Sequence, residues 1–131
     1  MKITLLNVKS SRKECINKDF MAGYGWAFNA GTSLRARLIN YIKKQGETLP
    51  LLSFGYMAAI FKKSGHTVNY LTNEIPDSDI VFLTSSMVDY RNEIEWAKKL
   101  KGAGKKVFFF GAFSSFKPEL FLPHCDAVIK G

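Results

Sequence analysis

One stretch near the carboxyl end, KKVFFFGAFSSFKPE (residues 105–119), most constrains what this chain can fold into. Residues 107–110 are apolar at every position, which is typical of a strand that is covered on both faces. The run breaks at Gly111, and small residues lead towards Pro118, which suits the first turn of a helix. A buried strand, a small-residue turn and a helix start indicate an α/β sheet, in which ligands bind outside the carboxyl ends of the strands.

The rest of the chain alternates between short apolar runs and amphipathic segments. We predict five strands, at residues 2–8, 67–71, 79–84, 107–110 and 126–131. Helices are predicted from Ser33 to Lys44 and over residues 50–64, 89–101 and 118–122. Strands one, three and four are continuously hydrophobic and strand two is mixed. This predicts a flavodoxin-like, Rossmann-like three-layer α/β sandwich with a five-stranded, mainly parallel sheet in the order 2-1-3-4-5.

The connection between strands two and three lacks a predicted helix. Residues 73–78 form a turn that is too short for an ordinary right-handed crossover. Either the crossover is compressed, with a residue or two of each strand contributing to it, or strand two pairs irregularly.

Residues 9–48 form a long insertion after strand one, within a single domain that covers residues 1–131. The insertion contains an aromatic, glycine-rich patch, which either covers a ligand or fastens the loop to its own domain. It ends in the helix from Ser33, whose apolar residues recur with helical spacing. We expect residues 9–48 to be the least rigid part of the domain. The aromatic residues are Phe20, Tyr24, Trp26 and Phe28, and the helical ones are Leu34, Leu38, Tyr41 and Ile42.

The charge and composition of the chain limit the kinds of molecule that we expect it to bind. The net charge is +8, and residues 1–48 hold nine Lys and Arg against three Asp and Glu, so most of the excess lies in the insertion. Because no nucleic-acid module signature occurs, we do not expect a nucleic-acid partner, and a docking surface for another domain or an acidic partner is the alternative. No apolar run approaches a membrane span, so we expect a cytoplasmic protein with no membrane partner. Cys15 and Cys125 are expected to be unpaired thiols.

Four segments together resemble the cobalamin-binding domains that precede radical S-adenosylmethionine (SAM) domains. PLLSFGYMAAIFKKSGHTV resembles their "PPLGLLYLAAYLREAGHEV" segment, and FFFGAFSSFKPELFL their "GGPHPTxxPEELL" loop. DAVIKG resembles their "DxVVxGEGE" segment, and DIVFLTSSM their third strand. The similarity covers roughly residues 49–131, with Ser53 in place of a glycine, Gly111-Ala112 in place of a double glycine, and Phe113 and Ser114 where proline and histidine are usual.

The resemblance implies a cobalamin site at the carboxyl edge of the sheet, bound without a histidine ligand from the protein because no DxHxxG motif occurs. No residue of this chain is expected to act as a catalytic residue or a metal ligand. The resemblance also implies that this is the N-terminal piece of a longer enzyme, a methyltransferase or Fe–S oxidoreductase. Its partner would be a C-terminal radical SAM domain of the same polypeptide, holding the 4Fe–4S cluster and SAM. The implied cofactor-binding residues are Leu52, Ser53, Ser85, Ser86, Met87, Gly111, Ala112, Phe113, Ser114, Ser115 and Gly131.

An alternative interpretation of the sequence keeps the predicted fold but assigns a different ligand. A flavodoxin-like domain could bind FMN or a nucleotide, or act without a ligand as an interaction domain. A flavin site favours a phosphate-binding loop after strand one, where NVKSSR offers hydroxyls and a cation but no glycine. His66 follows a helix-ending glycine and is expected to pack there, and His124 beside Cys125 does not by itself make a metal site.

Overall fold

The computed structural model describes residues 1–9, 18, 19, 23, 30–46 and 51–131. Its centre is a five-stranded sheet in the order β2-β1-β3-β4-β5, with every neighbouring pair parallel. This confirms the predicted order and direction. The strands are β1 (Lys2–Asn7), β2 (Thr67–Thr72), β3 (Ile80–Thr84), β4 (Lys106–Phe110) and β5 (Ala127–Val128).

The described residues form four α-helices: α1 (Leu34–Gly46), α2 (Leu52–Lys63), α3 (Tyr90–Gly102) and α4 (Ala112–Phe116). The single helix predicted over residues 118–122 is replaced by α4 and two 3-10 turns, Pro118–Leu120 and Leu122–His124. The turn at Gly111 begins a helix at once, and Pro118 then ends it, because the residue before a proline is pushed out of the helical region. None of the described helices is long and apolar enough to cross a membrane.

Successive residues of the central strands pack on opposite sides of the sheet. Val107 and Phe109 lie in a hydrophobic cluster with Ala97 and Leu100 of α3. Phe108 and Phe110 contribute to a second cluster, which contains Phe54 of α2. The predicted burial of β4 on both faces is therefore confirmed, and the protein has three layers.

The short connection between β2 and β3 is a compressed crossover. β2 pairs in regular register with β1 along its whole length, and β3 pairs with the other side of β1. Seven extended residues can span about 24 Å, which is enough to return along a strand of this length. On the way the Ser78 hydroxyl donates to Thr4 Oγ1 at 2.7 Å, and Pro76 is buried. The short turn therefore replaces a helix without disturbing the pairing of β2.

The insertion is described only in part. Helix α1 is present where it was predicted, and Ser33 caps it by accepting a hydrogen bond from the Ala36 amide at 3.2 Å. The aromatic residues Phe20, Tyr24, Trp26 and Phe28 lie outside the described residues, as do 19 of the 40 residues in the segment whose flexibility was predicted.

Candidate functional site

The turn at Gly111 requires a glycine for two separate reasons. Its φ of 108° and ψ of 171° lie in a region that side chains rarely adopt. A Cβ at this position would also lie 3.1 Å from Thr84 Oγ1 and 3.4 Å from Ser85 Oγ. The ends of β3 and β4 therefore approach each other closely at the carboxyl edge, so that a side chain at position 111 would press against the hydroxyl of Thr84.

Two serine hydroxyls stabilise the turn at Gly111 through hydrogen bonds. Ser85 Oγ accepts a hydrogen bond from the Ser114 amide at 2.7 Å and donates to the Phe110 carbonyl at 3.3 Å. Ser114 Oγ donates to the Gly111 carbonyl at 3.2 Å. Ser85 and Ser114 are fully buried. These hydroxyls bond to the protein's own backbone, so they fix the shape of the edge.

The next serine belongs to a buried polar network. Glu93 of α3 is completely buried, and its carboxylate accepts hydrogen bonds from the Ser86 amide at 2.9 Å and the Ser86 hydroxyl at 2.7 Å. The Lys18 ammonium forms an ion pair with the same carboxylate at 2.8 Å. Burial raises the pKa of Glu93 above its ordinary value, although the Lys18 charge and the Ser86 hydrogen bonds act in the opposite direction.

Sequence reasoning missed Glu93 and Lys18. Glu93 falls four and seven residues before Ala97 and Leu100, on the buried stripe of α3, and a charged residue on such a stripe is the signal that could have found it. Nothing in the local sequence singles out Lys18, because its partner lies far along the chain.

Asp19, the neighbour of Lys18, binds the start of α2. Its carboxylate accepts hydrogen bonds from the Ser53 amide, at 3.0 Å, and from the Ser53 hydroxyl. A carboxylate at a helix N-terminus is favourable because it meets unpaired amides and the positive end of the helix dipole. Residues 18 and 19 therefore connect the insertion to α3 and α2 respectively, and Ser53 is already engaged by the chain itself.

An apolar groove of about 480 Å³ opens beside the glycine turn, between α2 and the ends of β4 and β5. Three of the predicted cofactor-binding residues, Gly111, Ala112 and Gly131, line it. The other lining residues are Met57, Ile60, Phe61, Phe110 and Ile129. Their side chains present almost only hydrocarbon and aromatic surface, which suits a ligand with a flat apolar part.

The remaining predicted site residues lie elsewhere. Phe113 turns to the α3 side of the sheet, where its ring centroid lies 5.5 Å from that of Tyr90 and 5.9 Å from that of Phe121, so it leaves the groove free. Met87 and Leu52 are exposed at their own helix starts or strand ends. Ser115 Oγ lies 3.5 Å from the Ile129 carbonyl. The predicted cofactor-binding residues thus fall into three groups. Some line the groove, some are buried and support the Gly111 turn or its surroundings, and some are exposed at the edge of the sheet.

The described residues contain no cluster of three or more side chains suited to hold a metal ion. His66 comes directly before β2, and His124 ends a 3-10 turn before β5, so both lie towards the amino edge of the sheet. Cys125 is a free thiol whose pKa is raised chiefly by burial, and Cys15 lies outside the described residues.

The exit of β1, where a flavin phosphate would be expected, is closed by Asn73. Its side chain accepts from the Lys9 amide and donates to the Lys9 carbonyl, both at 2.8 Å. The first of these hydrogen bonds uses the Lys9 amide, a backbone donor of the kind that a phosphate-binding loop would offer.

Comparisons of the chain with protein-family models, with curated proteins and with solved structures found no match.

Proposed function

We propose that this domain binds cobalamin at the carboxyl edge of its sheet and presents it to a radical SAM domain elsewhere in the same polypeptide. The observation that carries the proposal is the apolar groove that begins at Gly111 and runs between α2 and β5. A corrinoid carries an aromatic base on a long nucleotide tail, and the groove offers this base an apolar slot beside a backbone turn without a side chain.

The size of the groove supports this assignment. A volume of about 480 Å³ lies within the range of roughly 300–1,000 Å³ that small-molecule sites occupy. Met57 and Ile60 of α2 form one wall and Ile129 the other, so a flat base would be held between aliphatic side chains. Ala112 at the mouth is small enough to let the tail pass.

Two of the buried serines support the proposal indirectly. Ser85 and Ser114 hold the Gly111 turn in its unusual conformation, and this turn keeps the mouth of the groove clear. Their hydrogen-bonding capacity is used within the protein, so they orient the ligand through the backbone rather than by direct donation. Met87 and Leu52, which are exposed at the same edge, would face the corrin ring.

No described histidine lies at the carboxyl edge, so the corrinoid would be bound without an imidazole from this domain. When bound, cobalamin supplies methyl-transfer or related radical chemistry, with the 4Fe–4S cluster and SAM held by the radical SAM domain outside this chain. The residues of this chain bind and orient the cofactor. The hydrocarbon walls of the groove would also exclude water from the bottom of the groove.

Titration with hydroxocobalamin, followed by its absorbance, tests the proposal. We expect saturable binding that Ala112→Phe, which fills the mouth of the groove, weakens at least ten-fold, since filling an apolar site excludes its ligand. The matched control is Ala103→Phe, which replaces another exposed alanine, at the end of α3 and at the opposite edge of the sheet. Circular dichroism checks that both variants are folded.

Three outcomes would contradict the proposal. If the wild type binds hydroxocobalamin and the two variants bind it with equal affinity, the site lies away from the groove. Protein that is yellow as purified, or that binds FMN and not hydroxocobalamin, would favour a flavodoxin-like domain. A colourless protein that binds neither would favour a ligand-free interaction domain.

A further inference from the structure

Helix α1 turns its apolar side outwards. Four residues with helical spacing form its apolar stripe, and all are more than half exposed: Leu34 at 86%, Leu38 at 60%, Tyr41 at 62% and Ile42 at 61%. Neither hydrophobic cluster includes a residue of α1 among the residues that the structure describes. Contiguous apolar surface of this kind marks an interaction site more often than a free surface.

The contacts that the structure describes for α1 lie on its opposite side. Ala36 is only 5% exposed, and Asn40, one turn later, accepts a hydrogen bond from the Ala30 amide at 3.1 Å. Residues four apart lie on the same face of a helix. The described contacts of α1 therefore involve its small and polar side and the residues just before the helix, and the apolar stripe is left available to a partner.

The charges of α1 indicate the chemistry of that partner. The segment 30–46 contains Arg35, Arg37, Lys43 and Lys44 and no acidic residue. Both arginines are exposed. A second copy of the chain packed on this stripe would bring like charges together, whereas an anionic surface would be attracted to them.

We propose that α1 lies in the headgroup region of an anionic lipid bilayer, with its apolar stripe towards the acyl chains and Arg35 and Arg37 at the lipid phosphates. Basic amphipathic helices with exposed leucine, isoleucine and tyrosine bind such interfaces without spanning them. The expectation of no membrane partner rested on the lack of a spanning segment, which an interfacial helix does not need. In the sequence, Tyr24 and Trp26 precede the helix, and both residue types favour the headgroup region.

Co-sedimentation of the full chain with vesicles tests this proposal. We expect association with vesicles of phosphatidylcholine mixed with phosphatidylglycerol, and much weaker association with pure phosphatidylcholine. Leu38→Ser should weaken the association with anionic vesicles about ten-fold, because less apolar surface enters the interface. Leu122→Ser, which replaces another exposed leucine outside α1, is the matched control and should leave it unchanged.

A second variant separates charge from apolar burial. Arg37→Gln should weaken the association with anionic vesicles about five-fold, because each cation near an anionic surface contributes about that factor, and it should leave association with neutral vesicles unchanged. Added salt should reduce the difference between wild type and Arg37→Gln.

Three results would overturn the proposal. One is equal association with anionic and neutral vesicles, and another is an equal effect of Leu38→Ser and Leu122→Ser. The third result would show that a second copy of the chain, and not a lipid surface, covers the apolar stripe of α1. If the protein is dimeric without lipid and Leu38→Ser makes it monomeric by light scattering, the stripe is a protein interface.

Discussion

The two sides of the sheet's carboxyl edge differ in whether their residues contact one another or leave space for a ligand. On the α3 side, Ser86, Glu93 and Lys18 form a closed, buried polar network. On the α2 side, Met57, Ile60 and the Gly111 turn leave an open apolar groove. The first side is occupied by the protein's own contacts and the second is available to a ligand. Substitutions should therefore cost mainly stability on one side and mainly binding on the other.

The largest effect should come from the buried ion pair. Lys18→Met leaves Glu93 buried without its cation, and breaking such a pair costs about 3–5 kcal/mol. Glu93 can relieve this by taking up a proton. Its pKa is already raised by burial, and the loss of the Lys18 charge should raise it further. A raised folded-state pKa contributes stability below the unfolded-state pKa that is lost as the pH rises through the folded-state value.

Urea unfolding of Lys18→Met at acidic and at neutral pH measures this effect. The cost should be smaller at acidic pH, where Glu93 is protonated, and full at neutral pH. The control is Lys98→Met, which removes an exposed lysine paired with Glu95 at 2.9 Å and should cost less than about 1 kcal/mol at either pH. An equal loss in Lys18→Met at both pH values would show that Glu93 does not titrate in response.

The next effect lies where the two sides meet, at the Gly111 turn. Gly111→Ala places a Cβ 3.1 Å from Thr84 Oγ1 in a conformation that favours glycine, and should cost about 2–3 kcal/mol. Gly104→Ala is the control, because Gly104 also has a positive φ, of 75°, but a Cβ there would meet nothing within 4 Å. Thermal unfolding should show a clearly smaller loss at position 104. Equal losses would mean that backbone conformation alone, and not the approach of β3 to β4, requires glycine.

A smaller effect is expected from the serine that supports the turn. Ser114→Ala removes a hydrogen bond to the Gly111 carbonyl and should cost about 0.5–1.5 kcal/mol. Ser115→Ala, its neighbour with a hydroxyl 3.5 Å from the Ile129 carbonyl, should be nearly neutral. Chemical denaturation of both variants distinguishes them, and a larger loss at Ser115 would contradict the assignment of Ser114 as the support.

The smallest effect on stability should come from the groove wall. Ile60 is 62% exposed, so Ile60→Ser should change the unfolding free energy by no more than about 0.5 kcal/mol. It should still weaken hydroxocobalamin binding several-fold by removing apolar surface from the groove. Leu122→Ser, at an exposed position outside the groove, should change neither quantity. A variant at Ile60 that loses stability and keeps its affinity would remove the contrast between the two sides.

Much of the fold could be predicted because its signals are local. The four apolar residues of β4 predicted burial on both faces, and Gly111 predicted the turn that ends the strand. The relative hydrophobicity of the strands predicted which are central. Each of these inferences depends on residues that are adjacent in the chain, and the sheet then follows from general rules of strand order and handedness.

The candidate site could be predicted only in part. Gly111, Ala112 and Gly131 were expected at the ligand and do line one groove. Phe113 was expected there as well, but it packs on the other side of the sheet, because α4 begins immediately after Gly111 and turns the next side chain away. Ser85 and Ser114 were also expected at the ligand, and the structure shows both bonded within the protein.

The sequence by itself determined the alternation of strands and helices, the strand order, the glycine turn and the basic, amphipathic character of α1. Only the tertiary structure decided that Lys18 pairs with Glu93, that Asp19 binds the start of α2, and that α1 faces its apolar stripe outwards. The physical reason is the range of the interactions. Propensity, periodicity and turn chemistry act between neighbours, whereas a buried ion pair between residues far apart, and the side on which a helix rests, depend on packing of the whole chain.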